Sequence, residues 1–156
     1  MAFWWVSQNK TYEHERAGGY LWAPLLASDG STFYHWKNLE LVRPGDLIFS
    51  YVGKQIVAVS VSMSAAYLAP RPPGLDENTW DVDGNRIDVK YCELSKPLWV
   101  ASVLTSLEPL LPEKYSPIDK NGDGVYGYLF EVPPAAGYLI ASRILRENAI
   151  ANRIET

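Results

Sequence analysis

The sequence predicts an α+β domain: a small, twisted mixed sheet or partly open β-barrel of about five or six strands, with short peripheral helices and a C-terminal helix. Three observations carry this expectation. A Gly-Lys turn at 53–54 joins two strand-like runs as a hairpin, which implies antiparallel pairing. The strand-like runs do not alternate with long helical ones, so a doubly wound parallel sheet is excluded. Sustained helical periodicity appears only from Pro133 onward.

The elements follow in chain order. Phe3-Trp4-Trp5-Val6 is aromatic and β-branched, the composition of a strand, and polar Ser7-Gln8-Asn9-Lys10 ends it. Gly18-Gly19 breaks the chain before a second short aromatic stretch, Tyr20-Leu21-Trp22, which Pro24 terminates. After the Asp29-Gly30 turn, Ser31 reads as the N-cap of a helix over 32–40, with Phe33, Trp36 and Leu39 at helical spacing. Arg43-Pro44-Gly45-Asp46 is a tight turn. It feeds the strand Leu47-Ile48-Phe49-Ser50-Tyr51, and the hairpin returns as a long strand from Gln55 to about Tyr67. Residues 69–79 are too Pro-rich for regular structure. Residues 86–94 alternate polar and apolar, the period of a half-buried strand, and 99–107 reads as a short helix. Residues 119–124 form a turn-rich loop, 125–132 a last strand, and the final helix places Tyr138, Leu139, Ala141, Leu145 and Ile150 on one face.

Composition bounds the function. The 156 residues suit a single domain spanning 1–156 that buries a real core. One Cys excludes a disulfide framework and a Cys-rich zinc site. No apolar run reaches membrane-span length, and the N-terminus lacks the basic region of a signal peptide. The expectation is therefore a cytoplasmic chain with no membrane partner. The net charge of −4 lies wholly in residues 61–125, with six basic and ten acidic side chains. Bulk charge thus argues against non-specific polyanion binding but leaves room for a local basic rim. The last residues stop inside polar helical sequence, as expected of a domain cut from a longer chain.

Catalytic and metal patterns are weak. His14 and His35 have no Ser or Cys partner in a recognisable motif, and Cys92 reads as a small buried strand residue. The segment from Asp119 to Gly124 resembles the start of a calcium loop. Position twelve is Phe130 rather than Glu, so it reads as a turn. No Gly-rich phosphate loop is present. No cofactor, metal site or catalytic residue is expected.

The aromatics are the informative excess: 6 Trp, 10 Tyr and 4 Phe. Core filling accounts for one of Trp4 and Trp5, since strand neighbours point to opposite faces, and for Trp36 and Trp99. Trp22 and Trp80 stand at apparent loop edges, where a rigid indole suits stacking on a planar ligand. Ser7, Gln8 and Asn9 could supply edge hydrogen bonds nearby.

The run from Phe3 to Tyr12, then Gly18-Gly19-Tyr20-Leu21-Trp22-Ala23-Pro24, resembles the EVE-type domain of the PUA-like superfamily. It is similar in particular to the version at the N-terminus of bacterial HNH endonucleases. Phe33-Tyr34, Pro44 to Ser50, Arg86-Ile87-Asp88-Val89, Tyr115-Ser116-Pro117 and Tyr128-Leu129 extend the resemblance over the whole chain. Relatives include the YTH, SRA and ASCH domains. The resemblance implies recognition of a modified nucleobase swung into an aromatic pocket. Trp22, followed by Ala23, is similar in position to the cage Trp of YTH domains, and Ser7 and Asn9 match the place where such domains hydrogen-bond the base. Trp80 is the first candidate for the second cage aromatic, with Tyr67 or Tyr91 as replacements. Lys10, Arg16, Lys54, Arg71, Arg86 and Lys90 are candidate phosphate contacts. The implied partner is double-stranded DNA carrying 5-methylcytosine or 5-hydroxymethylcytosine, bound by a non-enzymatic domain that targets an HNH restriction nuclease in the same parent chain. The alternative is an RNA-binding module reading a base such as N6-methyladenine. An ASCH-type hydrolase would need a converging Lys and Glu pair that the sequence does not reveal. The oligomeric state is left open.

Overall fold

Strand β1 (Phe3–Ser7) lies between two partners, pairing in parallel with β3 (Leu47–Val52) and antiparallel with β8 (Leu129–Val132). The computed structural model describes residues 1–75 and 83–155. The sheet runs β2-β6-β4-β3-β1-β8, with β2 at Tyr20–Pro24, β4 at Gln55–Ser62 and β6 at Asp83–Lys90. Two further strands join its side: β5 (Tyr67–Pro70) pairs with β6, and β7 (Glu93–Trp99) pairs with β4. Helices α1 (Tyr12–Gly18), α2 (Tyr34–Lys37), α3 (Leu104–Leu107) and α4 (Pro134–Glu155) surround the curled sheet. The α+β class is as the sequence predicts.

β1 is buried on both faces, which explains its continuous aromatic run. Phe3 and Trp5 enter a core layer with Phe49, Leu98, Phe130 and, from α4, Ala136, Ile140 and Ile144. Trp4 and Val6 enter the opposite layer inside the curl, with Leu21, Trp36, Leu39, Ile48 and Ile87. Both indoles are therefore core, a correction to the expectation that only one would be. Gly137 makes the α4 contact possible: a Cβ there would come within 2.3 Å of the Phe3 ring.

The turn before β3 is fastened by buried Asp46. Its Oδ1 accepts the Ala2 N–H at 2.9 Å, and its Oδ2 accepts the Trp4 indole N–H at 3.0 Å and the Arg43 N–H at 2.9 Å. Burial opposes the charged form, but these donors prevail and hold the carboxyl below its ordinary range.

Several boundaries differ from expectation. The predicted strand from Gln55 to Tyr67 ends at Ser62, and β5 resumes at Tyr67 because residues 67–70 find the free edge of β6. Residues 69–70, expected as loop, belong to it. The single strand over 86–94 is two, β6 and β7, with Cys92 exposed between them rather than buried. The helix over 32–40 splits into α2 and a 3₁₀ turn at Asn38–Leu41, and Ser31 bonds Asp29 instead of capping it. The last strand begins at Leu129, not Val125. Trp99 closes β7 and is 55% exposed, so it is not core. Dividing two expected strands, into β4 with β5 and β6 with β7, raises the count to eight.

Asp46→Ala leaves the Trp4 indole and two backbone N–H groups without their buried acceptor. It is expected to lower unfolding free energy by roughly 2–4 kcal/mol, read from urea denaturation.

Candidate functional site

A cleft of about 700 Å³ opens where β1 ends. Its lining comes from four places: Ser7 at the end of β1 with Asn9, Lys10 and Thr11 beyond it, Trp22 to Pro24 of β2, His35 and Trp36 of α2, and the loop 123–128 before β8. Tyr51, Gly53, Lys54 and Leu75 complete it. Ser7, Asn9, Trp22 and Ala23 thus meet in one cavity, as do Lys10 and Lys54 from the basic set.

Trp22 is the middle residue of β2 rather than a loop-edge residue, and it is 3% exposed. Its indole N–H donates to the Ala69 carbonyl at 3.1 Å, and Leu75 packs with it. Gly84 of β6 lies beneath: a Cβ there would sit 2.5 Å from the Trp22 ring. The ring is thereby fixed in plane before any ligand arrives. Asn9 is exposed, and its Oδ1 accepts the Gly53 N–H at 2.7 Å. With that oxygen engaged, its amide hydrogens are what it offers a ligand.

Behind the cleft lies Glu15, fully buried although it sits on a seven-residue helix. Its Oε1 accepts the Thr11 hydroxyl at 2.6 Å and the Gln8 amide at 3.1 Å. Its Oε2 accepts the Trp22 backbone N–H at 3.1 Å and the Tyr128 hydroxyl. Desolvation outweighs these four donors and raises the carboxyl to about 7. Burial, then the nearby Glu15 carboxylate, drives the Tyr128 phenol well above its usual value. His35 is pushed the other way, down to about 4, by burial. Its Nδ1 accepts the Tyr128 backbone N–H at 3.1 Å, so the neutral ring carries its proton on Nε2. That bond also occupies the nitrogen a general base would use.

The other candidates are placed elsewhere. Tyr91 lies behind the cleft, where its hydroxyl accepts from the Gln8 amide at 2.9 Å and donates to the Tyr20 carbonyl at 2.8 Å. Tyr67 is on β5 and donates to Asp88 at 2.6 Å. Neither lines the cleft, because each phenol is committed to a structural acceptor. Trp80 lies outside the described residues. Arg16 is held between Glu13 at 2.8 Å and Glu93 at 2.7 Å. Arg86 stacks over the Tyr20 ring at 4.4 Å, with its Nε 3.8 Å from Asp88. Arg71 follows β5, and Lys90 is exposed at the end of β6. Lys54, in the left-handed region at φ 67°, reaches Asp123 at 3.3 Å.

Sequence reasoning missed His35, Trp36, Tyr126 and Tyr128 as cleft residues. The Gly124 and Gly127 flanks of Tyr126 were the available signal of a shaped loop rather than a continuous strand. Among the described residues no group of three or more His, Cys, Asp or Glu side chains could hold a metal ion. The Asp119 carboxylate instead accepts the backbone N–H groups of Asn121 and Asp123 within its own turn. Among the same residues no helix is long and apolar enough to cross a membrane.

No protein-family model matches the chain. Argininosuccinate synthase of Colwellia psychrerythraea is 26% identical over 117 residues. Those cover 72% of this chain, and the chain spans about a quarter (26%) of that protein. Solved structures are similar in fold. A Pseudomonas putida protein has a TM-score of 0.59 at 19% identity, covering 92% of this chain and 99% of that one. The YTH domain-containing protein mmi1, in complex with RNA, has a TM-score of 0.57 at 10% identity, covering 99% of this chain and 88% of that one. The YTH domain of Zygosaccharomyces rouxii MRB1, in complex with N6-methyladenosine RNA, has a TM-score of 0.53 at 16% identity, covering 92% and 86%. The chain has the PUA-like, YTH-like fold: a curled half-barrel sheet with short helices and a C-terminal helix.

The two shifted groups oppose each other in stability. Glu15 titrates higher when folded than its ordinary 4.5, so its contribution rises as pH falls from about 7 to 4.5. His35 titrates lower than its ordinary 6.5, so its contribution falls as pH drops from 6.5 to about 4. Each is worth on the order of 3 kcal/mol across its window. Unfolding free energy of the unmodified protein is expected to be nearly flat between pH 6.5 and 4.5. Glu15→Gln should make it fall on acidification, and His35→Asn, which keeps an acceptor for Tyr128, should make it rise. Urea titrations at pH 4.5, 5.5 and 6.5 read the slopes.

Proposed function

We propose that this domain reads a modified cytosine, 5-methyl or 5-hydroxymethyl, in double-stranded DNA by taking the base into the cleft beside Trp22. The observation that carries the reading is the convergence of Trp22, Ala23, Ser7 and Asn9 on one cavity, in a fold shared with YTH domains solved with modified RNA. Because Trp22 is 3% exposed, a base stacks on its indole by displacing Leu75, which packs with it, and the stacking, worth about 1–3 kcal/mol, offsets part of the few kcal/mol that extrusion costs. Ser7 and the Asn9 amide hydrogens address the polar edge, and the apolar wall around Ala23 and Pro24 accepts the added carbon. On this reading Lys10 and Lys54, which line the cleft, meet phosphates, Lys54 by exchanging its pairing with Asp123. The second wall of the pocket is assigned to Trp80 on the sequence resemblance alone.

On this reading residues 1–156 form the recognition domain of an EVE type, itself non-enzymatic, which directs an HNH nuclease elsewhere in the parent chain. The resemblance described above supports that context. The local chemistry supports binding rather than turnover, since the His35 acceptor nitrogen is engaged with the Tyr128 backbone.

The test is fluorescence anisotropy on three labelled probes: a duplex with central 5-methylcytosine, the same duplex unmodified, and an RNA with N6-methyladenosine. The methylated duplex is expected to bind about tenfold tighter than the unmodified one, the scale of one apolar methyl contact. Trp22→Leu, which keeps apolar fill between Gly84 and Leu75 without the stacking face, should lower affinity at least about fivefold. Equal affinity for the two duplexes would overturn the modified-cytosine reading. Preference for the RNA probe would transfer the site to a YTH-like role.

A further inference from the structure

We infer that Tyr126 is a second stacking platform, one that holds the nucleobase adjacent to the base bound in the cleft. This inference rests on the reader function proposed above and adds a residue that the sequence did not single out.

Tyr126 borders the cleft, yet 81% of it is exposed. A lone exposed tyrosine is ordinary on a protein surface. This one is unusual because the loop carrying it is fastened on every side. The Val125 N–H donates to the Pro117 carbonyl at 3.1 Å, and Ile118 and Gly124 form a β-bridge. The Tyr128 N–H donates to His35 Nδ1 at 3.1 Å, while the Tyr128 carbonyl accepts the Ser7 N–H at 2.8 Å. The loop also lies hard against the core. A Cβ at Gly127 would meet the Phe130 ring at 2.4 Å, in a backbone at φ 151° that favours glycine, and one at Gly124 would sit 3.0 Å from Tyr51. Rigid backbone on both sides thus presents an aromatic ring to solvent with little conformational entropy left to lose on binding.

Position decides which base it serves. Trp22 is almost fully buried at the β2 wall, whereas Tyr126 lines the cleft while mostly exposed to solvent, its ring perpendicular to that of His35 with centroids 5.7 Å apart. A base swung in beside Trp22 leaves its neighbours at the mouth, within the zone of Lys10 and Lys54. A tyrosine there offers a π-face to whichever base follows, without hydrogen-bond readout, so the subsite tolerates sequence.

The experiment compares two probes by titration: a trinucleotide with central 5-methyl-2′-deoxycytidine, and the free 5-methyl-2′-deoxycytidine nucleoside. The same pair built on N6-methyladenosine runs alongside. Tyr126→Ala is expected to weaken the trinucleotide about tenfold and to leave the nucleoside within twofold; Tyr126→Phe should bind both as the unmodified protein does. Equal loss on trinucleotide and nucleoside would make Tyr126 a wall of the pocket itself and overturn the inference. No loss on either would also overturn it while leaving the reader function standing. Failure of the unmodified protein to bind any of these probes would overturn this inference, whereas the reader function itself is decided by the duplex titration above.

Discussion

The Glu15 carboxylate is the interaction on which the cleft depends. Four donors from four parts of the chain converge on it: the Gln8 amide after β1, the Thr11 hydroxyl before α1, the Trp22 N–H in β2, and the Tyr128 hydroxyl before β8. Helix α1 is too short to be stable alone. What holds it is this buried acceptor, together with the Gly19 left-handed cap that ends it. Remove the acceptor and four buried donors lose their common partner at once, a cost that grows in a low-dielectric interior. The same residue therefore sets the height of Trp22, the seat of Tyr128 and the path of the segment that carries Asn9.

A second constraint is the two-faced burial of β1. A strand with both faces covered needs large side chains on both, and Phe-Trp-Trp-Val supplies them. The layer inside the curl carries Trp36 and Leu39 from the α2 region, and that is how α2 comes to stand over the cleft. The layer outside takes α4. Core packing and site geometry are thus the same act here: the tryptophan that fills the curl also fixes the helix that presents His35.

The sequence resolved what repeats on a short period and blurred what depends on distant partners. β1, β3 and the hairpin were legible because their residues declare strand propensity and a turn within a few positions. β5 was not, since Tyr67-Leu68-Ala69-Pro70 becomes a strand only by meeting the edge of β6. Trp99 shows the limit of residue type: an indole next to a strand end reads as core, but its register opposite Gln55 leaves it exposed. In the site, Trp22, Ser7 and Asn9 were found from local pattern and resemblance. His35 and Tyr128 were not, because their roles arise from a hydrogen bond across 93 positions of chain. Glu15 sits in the polar run Glu13-His14-Glu15-Arg16, whose composition is that of a surface. Nothing local marks it as the buried one.

The placement of β1 has a kinetic corollary. Strand β1 precedes its two partners in the chain, yet it is neither at an edge nor beside its sequence neighbour β2. It waits for β3 to pair in parallel from more than 40 positions away, and for β8, the last strand of the sheet, to close its other side. During synthesis its four consecutive large apolar residues can find only partial cover, since the β8 flank does not exist until residue 132 has emerged. Such long-range pairing slows folding and lengthens the exposure of sticky surface. The β3–β4 hairpin can form first and offer a template, which makes β3 the natural docking edge for β1. The architecture that buries the aromatic run so completely at the end is thus also the one that leaves it uncovered longest on the ribosome.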